Sequence, residues 1–212
     1  MFTSPITARD YRIAAIVGVL TGIFAIPTFS NVGLGGSATY AALVIGIPIL
    51  WVFGVWLGGF LSRWLPFMAQ FGKFATTGFL SAAIDFGALN VLSRASGITA
   101  GLIIGGVNVP GFGLAVFNSY LWNRLWVFKQ APGEGVFRDF PKFLAVTVFG
   151  LFLNSGLVIA VTTYVGPQFG FGAEAWLNLS KVFANALVLI WNFIGYKFVV
   201  FGARPADLPR TP

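Results

Sequence analysis

Apolar residues run along this chain in six long blocks, and polar residues gather in the short stretches between them. The blocks cover about Ile13–Phe29, Ala41–Leu61, Phe74–Leu92, Gly111–Phe128, Phe143–Val165 and Leu177–Val200. Roughly 20 apolar residues carry a helix across a bilayer. The runs are continuous and do not alternate, which favours helices over barrel strands. The pattern therefore predicts an all-α integral membrane protein with about six transmembrane helices. Ahead of the fourth block, "AGLIIGGVNVPGFG" (Ala100–Gly113) is apolar but rich in Gly. It is read either as an outer loop or as a short helical turn that breaks at Val109–Gly113.

Composition sharpens this picture. The 212 residues are 57% hydrophobic and 9% charged, with a mean hydropathy of +0.85. A soluble domain carries about 25% charged residues, and so few charges could not cover a water-facing surface. Cys and His are both absent, which removes disulfides, thiolates and the usual general base. With no Gly-rich Lys-containing phosphate loop and no paired carboxylates, the chain reads as a non-enzyme without cofactor or metal.

The net charge of +7 could suggest nucleic acid, but its distribution argues against that. Eleven of the 13 Lys and Arg fall on one side if six helices alternate: Arg9, Arg12, Arg63, Lys73, Arg124, Lys129, Arg138, Lys142, Lys197, Arg204 and Arg210. Arg94 and Lys181 fall toward the other. By the positive-inside rule this places both termini in the cytoplasm. The protein is thus expected to be multi-pass in the cell membrane, and its first span is read as retained, because no A-x-A-like cleavage site follows cleanly.

Two segments repeat. "FGKFATTGFLSAAIDFGAL" (Phe71–Leu89) aligns without gaps with "FPKFLAVTVFGLFLNSGLV" (Phe140–Val158). Phe71 pairs with Phe140, Lys73 with Lys142, Phe74 with Phe143, Asp85 with Asn154 and Gly87 with Gly156. Further on, "RLWVF" (Arg124–Phe128) matches "KFVVF" (Lys197–Phe201). The last four helices are therefore expected to form two parallel repeats of a helical hairpin, an arrangement that places transport paths between copies. The expected division is a two-helix segment at 1–66, a four-helix domain at 67–203 and a cytoplasmic tail at 204–212. Gly18–Gly22 and Gly54–Gly58 are G-x-x-x-G pairs that permit close helix contact.

The candidate chemistry lies in polar residues inside the apolar blocks. Asp85 falls mid-span, where a carboxylate is costly, and Thr77, Ser81 and Asp85 share a helix face. Thr147, Gly150 and Asn154 form the matching stripe. Lys181, Asn185 and Asn192 fall within about 40° of one another on the sixth helix. Ser, Thr and Asn in such stripes can also be simple helix-to-helix glue, and an Asp85–Lys181 ion pair is a structural alternative. Near the cytoplasmic edge the basic residues come in repeat pairs, Lys73 with Lys142 and Arg124 with Lys197. They can anchor helices by snorkelling or form a phosphate site.

Phe71–Phe201 resembles the GtrA-like family of small membrane proteins. The resemblance rests on "FGKFATTGFLSAAIDFGALNVL", on "NSYLWNRLWVF" closing the second helix and on the weaker echo "WNFIGYKFVVF" closing the fourth. It implies four transmembrane helices and a role in moving polyprenyl-phosphate-linked sugars for cell-surface polysaccharide synthesis. Family members also occur beside, or fused to, glycosyltransferases. Asp85, Asn118, Asn123 and Arg124 stand at the family's polar positions. The two N-terminal helices depart from the pattern and have no role implied by it.

Together these readings predict a flippase for a polyprenyl-phosphate sugar. Arg124, Lys197, Lys73 and Lys142 would draw in the phosphate; Asp85, Asn118, Asn123, Asn154, Asn185 and Asn192 line the route of the sugar; Lys181 receives the phosphate near the outer face. The partners expected are that lipid, the membrane lipids and a second copy where one chain is too narrow to enclose the path. The alternative is a non-transporting anchor for a glycosyltransferase, acting through the Lys129–Lys142 loop or the C-terminal tail. A proton-coupled cation exporter using Asp85 is disfavoured by the four basic residues at the inner mouth.

Overall fold

The computed structural model describes residues 6–31, 33–97, 103–129, 135, 137–170 and 173–202. The main helices among them run in the order α1 (Ala8–Asn31), α2 (Ser37–Leu61), α3 (Met68–Ser96), α4 (Ile103–Trp122), α5 (Phe140–Ile159) and α6 (Ala173–Gly195). Among the described residues, Ala8–Asn31, Ser37–Leu61, Met68–Ser96 and Phe183–Val200 are long and apolar enough to cross a membrane. The protein is an all-α, multi-pass membrane protein. The chain folds as two compact units that divide after Lys129.

The first unit joins the two N-terminal helices to the first hairpin. α1 starts at Thr7, whose backbone N–H and hydroxyl both donate to the Asp10 carboxylate, at 2.9 and 2.8 Å. This is the carboxylate half of a capping box, with Asp in the place of Glu. α2 contains a wide π turn at Ala42–Gly46, just ahead of Pro48, which has no N–H to return to the preceding turn. α3 ends at Gly97, whose φ of 71° is the left-handed cap that glycine adopts without strain.

Glycines set how closely these helices approach. Gly18 abuts the backbone of Pro48, and Gly87 abuts the Phe24 carbonyl. A Cβ on Gly22 would stand 2.5 Å from the Leu43 carbonyl oxygen, and one on Gly58 2.7 Å from that of Met68. The Gly18–Gly22 pair is thus a genuine helix contact, binding α1 to α2. Backbones this close exchange dispersion contacts that a larger residue would forbid. Ala14 and Val17 of α1, Val55 of α2, Leu80 and Ile84 of α3, and Ala115 and Trp126 from the second half of the hairpin form the core. On the other face of α2, Phe53, Trp56, Phe60 and Trp64 stack at centroid spacings of 5.5, 5.7 and 5.2 Å, an exposed aromatic ladder suited to lipid.

One sequence expectation is corrected here. No break occurs at Val109–Gly113: α4 is continuous from Ile103 with Pro110 inside it. A proline costs one backbone hydrogen bond, which packing against a neighbouring helix can offset. Gly111 supplies that packing, because a Cβ there would meet the Asp85 carbonyl at 2.9 Å and the Ala88 methyl at 3.1 Å.

The second unit is the α5–α6 hairpin. Phe143 stacks on Tyr196 at 4.4 Å and Phe149 on Trp191 at 4.6 Å. Gly195 lies against Val146, and the Trp191 indole donates to the Val146 carbonyl at 3.2 Å. The Thr147 and Tyr196 hydroxyls share a hydrogen bond of 2.7 Å. Tyr196→Phe is expected to cost about 1 kcal/mol, read as a lowered thermal unfolding midpoint in detergent. The loss is modest because Thr147 keeps its bond to the Phe143 carbonyl.

Candidate functional site

Both hairpins end in the same way. α4 passes into a π turn at Asn123–Val127 and α6 into one at Tyr196–Val200. Each closes with a bond spanning five residues, Phe128 N–H to the Asn123 carbonyl at 2.9 Å and Phe201 N–H to the Tyr196 carbonyl at 2.8 Å. These are the segments that the sequence aligns as "RLWVF" and "KFVVF". The wider turn rotates the following side chains relative to an α-helix, a distortion that recurs at functional sites. In the first unit it turns Asn123, Arg124, Trp126 and Val127 inward, and all four are buried.

Beside this turn lies a buried ionic cluster. Lys73 Nζ and Asp10 Oδ1 are 2.6 Å apart, with side-chain exposures of 4% and 3%. The Trp126 indole N–H donates to the same oxygen at 2.9 Å, and Lys73 Nζ sits 6.0 Å from that ring's centroid. With Thr7 on the other oxygen, the carboxylate takes four donors. Three segments distant in sequence meet here: the start of α1, the first turns of α3 and the end of the first hairpin. Lys73, expected among the phosphate-binding cations, is here the buried partner of Asp10. Asp10 was not among the expected site residues. Its capping pattern Thr7-x-x-Asp10 was legible, but its partners 63 and 116 residues away were not.

A polar stripe links α3 and α4. The Asn118 amide donates to Ser81 Oγ at 3.0 Å, and the Trp122 indole donates to Asn118 Oδ1 at 3.1 Å. Asn123 donates to the Ser119 carbonyl and hydroxyl at 2.8 and 3.2 Å. Its Oδ1 is buried with no hydrogen bond among the described residues, and so is Asp85 Oδ1. The second unit echoes this, with Asn192 Oδ1 buried, likewise without a hydrogen bond among the described residues, and facing Gly150. Gly150 is the repeat counterpart of Ser81.

The remaining expected site residues differ in burial. Arg124 is buried. Lys197 is half-buried, its Nζ 5.6 Å from both the Phe193 and Phe198 ring centroids. Lys142 and Asn185 are exposed. The Asn154 and Lys181 side chains, and with them the Asp85–Lys181 pairing, lie outside the described residues. The repeat pairs Lys73 with Lys142 and Arg124 with Lys197 divide between the two units. Among the described residues there is no cluster of side chains able to hold a metal ion.

Repeated helical hairpins with polar groups inside their apolar spans define a polytopic membrane protein. Residues 73–201 match the model of the GtrA/DPMS transmembrane domain, and the chain belongs to that family. Over 90 residues the chain is 29% identical to the uncharacterized membrane protein YwcD of Bacillus subtilis (strain 168), covering 42% of this chain and 65% of YwcD. The alignment thus spans just under two thirds of that relative. No solved structure matches the chain.

Proposed function

We propose that this protein translocates a polyprenyl-phosphate-linked sugar across the cytoplasmic membrane, with both termini on the cytoplasmic side and no covalent chemistry of its own. The observation that carries the reading is the set of buried acceptor oxygens on Asp85, Asn123 and Asn192, which find no donor among the described residues. A buried acceptor left unpaired costs about 1–3 kcal/mol, and sugar hydroxyls are donors of the kind it lacks. A sugar moving along these helices would complete their hydrogen bonds, and its lipid chain would stay in the hydrocarbon. Asn118, Asn154 and Asn185 extend the polar route in this reading. Arg124 and Lys197 attract the phosphate at the cytoplasmic edge, and Lys181 receives it toward the far side. Lys73 serves the route by fixing the helix ends through Asp10.

The test is flipping of a labelled polyprenyl-phosphate sugar in proteoliposomes. Asp85→Ala and Arg124→Ala are each expected to slow flipping about tenfold, the scale of one charged hydrogen bond. Wild-type rates in both variants would sink the site assignment.

The closed Ser81–Asn118–Trp122 chain favours a second reading, since polar groups satisfied among themselves hold helices together without carrying anything. In that case the protein anchors a glycosyltransferase through the Lys129–Lys142 loop. Co-purification of a transferase that survives Asp85→Ala but not deletion of that loop would favour it.

A further inference from the structure

The two repeats are dressed differently. In the first, Lys73, Leu80, Ile84 and Gly87 lie within about 60° of one another on α3. All four are buried. Lys73 meets Asp10, Gly87 meets Phe24, and Leu80 and Ile84 share a core with Ala14 and Val17. This face of α3 is therefore the seat of α1.

The same register in the second repeat is Lys142, Phe149, Leu153 and Gly156. Here Lys142 and Gly156 are exposed and Leu153 is half-buried, while Phe149 is 54% exposed. A Cβ on Gly156 would meet nothing within 4 Å. The counterpart of Trp126, which completes the first cluster, is Val199, and it is 58% exposed. No described residue forms an ion pair or hydrogen bond with Lys142. The chain carries one α1 for two seats.

We propose that the α5 face of Lys142, Phe149, Leu153 and Gly156 docks a transmembrane helix of a partner protein, seated as α1 is on α3 and bearing a carboxylate in its first turn. Charge complementarity and the covered first seat identify the occupant. A second copy of this chain does not supply it, because its Asp10 is already paired with its own Lys73. The other acid in a first helical turn, Glu174, opens α6 at the far end of the hairpin from Lys142. A helix with small or flat residues opposite Gly156 and its acid opposite Lys142 would bury both.

The chain contains no cysteine, so introduced thiols are unique. The probe is a synthetic peptide of residues 6–31 bearing Phe24→Cys, mixed in lipid nanodiscs with the full-length protein bearing Gly156→Cys. Leu151→Cys, about 180° round α5 from Lys142, is the control. Disulfide formation at position 156 is expected to exceed that at 151 by about fivefold, the scale of one ion pair at the membrane edge. Asp10→Asn in the peptide, or Lys142→Glu in the protein, is expected to abolish that excess. Equal capture at 156 and 151 means that the face meets lipid alone and overturns the proposal. Capture indifferent to Asp10→Asn overturns the carboxylate requirement. A disulfide between two full-length chains at position 156 that outcompetes the peptide makes a second copy the occupant and also overturns it.

Discussion

An Asp10→Ala chain is expected to unfold in detergent well below the wild type, with a loss of about 3–5 kcal/mol, the usual cost of stripping one partner from a buried ion pair. The size follows from what remains. Lys73 would be left buried without its counter-charge, the Trp126 indole would lose its acceptor, and Thr7 would lose both bonds that cap α1. The double variant Asp10→Leu, Lys73→Leu separates the charge term from the rest, because removing both ions lifts the desolvation penalty. It should recover most of the loss, leaving roughly the 1 kcal/mol typical of a missing helix cap. A single variant as stable as the wild type would show that the cluster contributes nothing to holding α1.

Gly87→Leu should be nearly as damaging, at about 3 kcal/mol, toward the upper end for overpacking. The atom in the way is the Phe24 backbone carbonyl, which cannot rotate aside as a flexible side chain could. The matched substitution Gly156→Leu should fall within about 0.5 kcal/mol of wild type, as an open site allows. Thermal unfolding of both variants beside the wild type gives the comparison. Equal losses at the two positions would contradict the difference in burial between the repeats.

The helices were largely legible in the chain because a membrane demands long apolar runs, and their number and the repeat both follow from residue pattern. What the pattern misplaced was α4, where Pro110 and the glycines around it suggested a break. Local propensity lost there to packing, since Gly111 is used for close approach to Asp85 and not for chain reversal. The polar stripe of Ser81 and Asp85 was readable from helical spacing. That Asn118 bonds Ser81, and that Lys73 is spent on Asp10, was not, because each partner lies on another helix. The π turns left no mark in composition at all.

Those turns carry a consequence for descent. A π turn is an α-helix with one residue too many, and an insertion of that kind is difficult to acquire because it shifts the register of everything beyond it. Here it stands at equivalent places in the two hairpins, Asn123–Val127 and Tyr196–Val200, whereas the π turn that follows α5 at Ala160–Val165 has no counterpart in α3. The simplest history is that the extra residue entered an ancestral hairpin before that hairpin was duplicated.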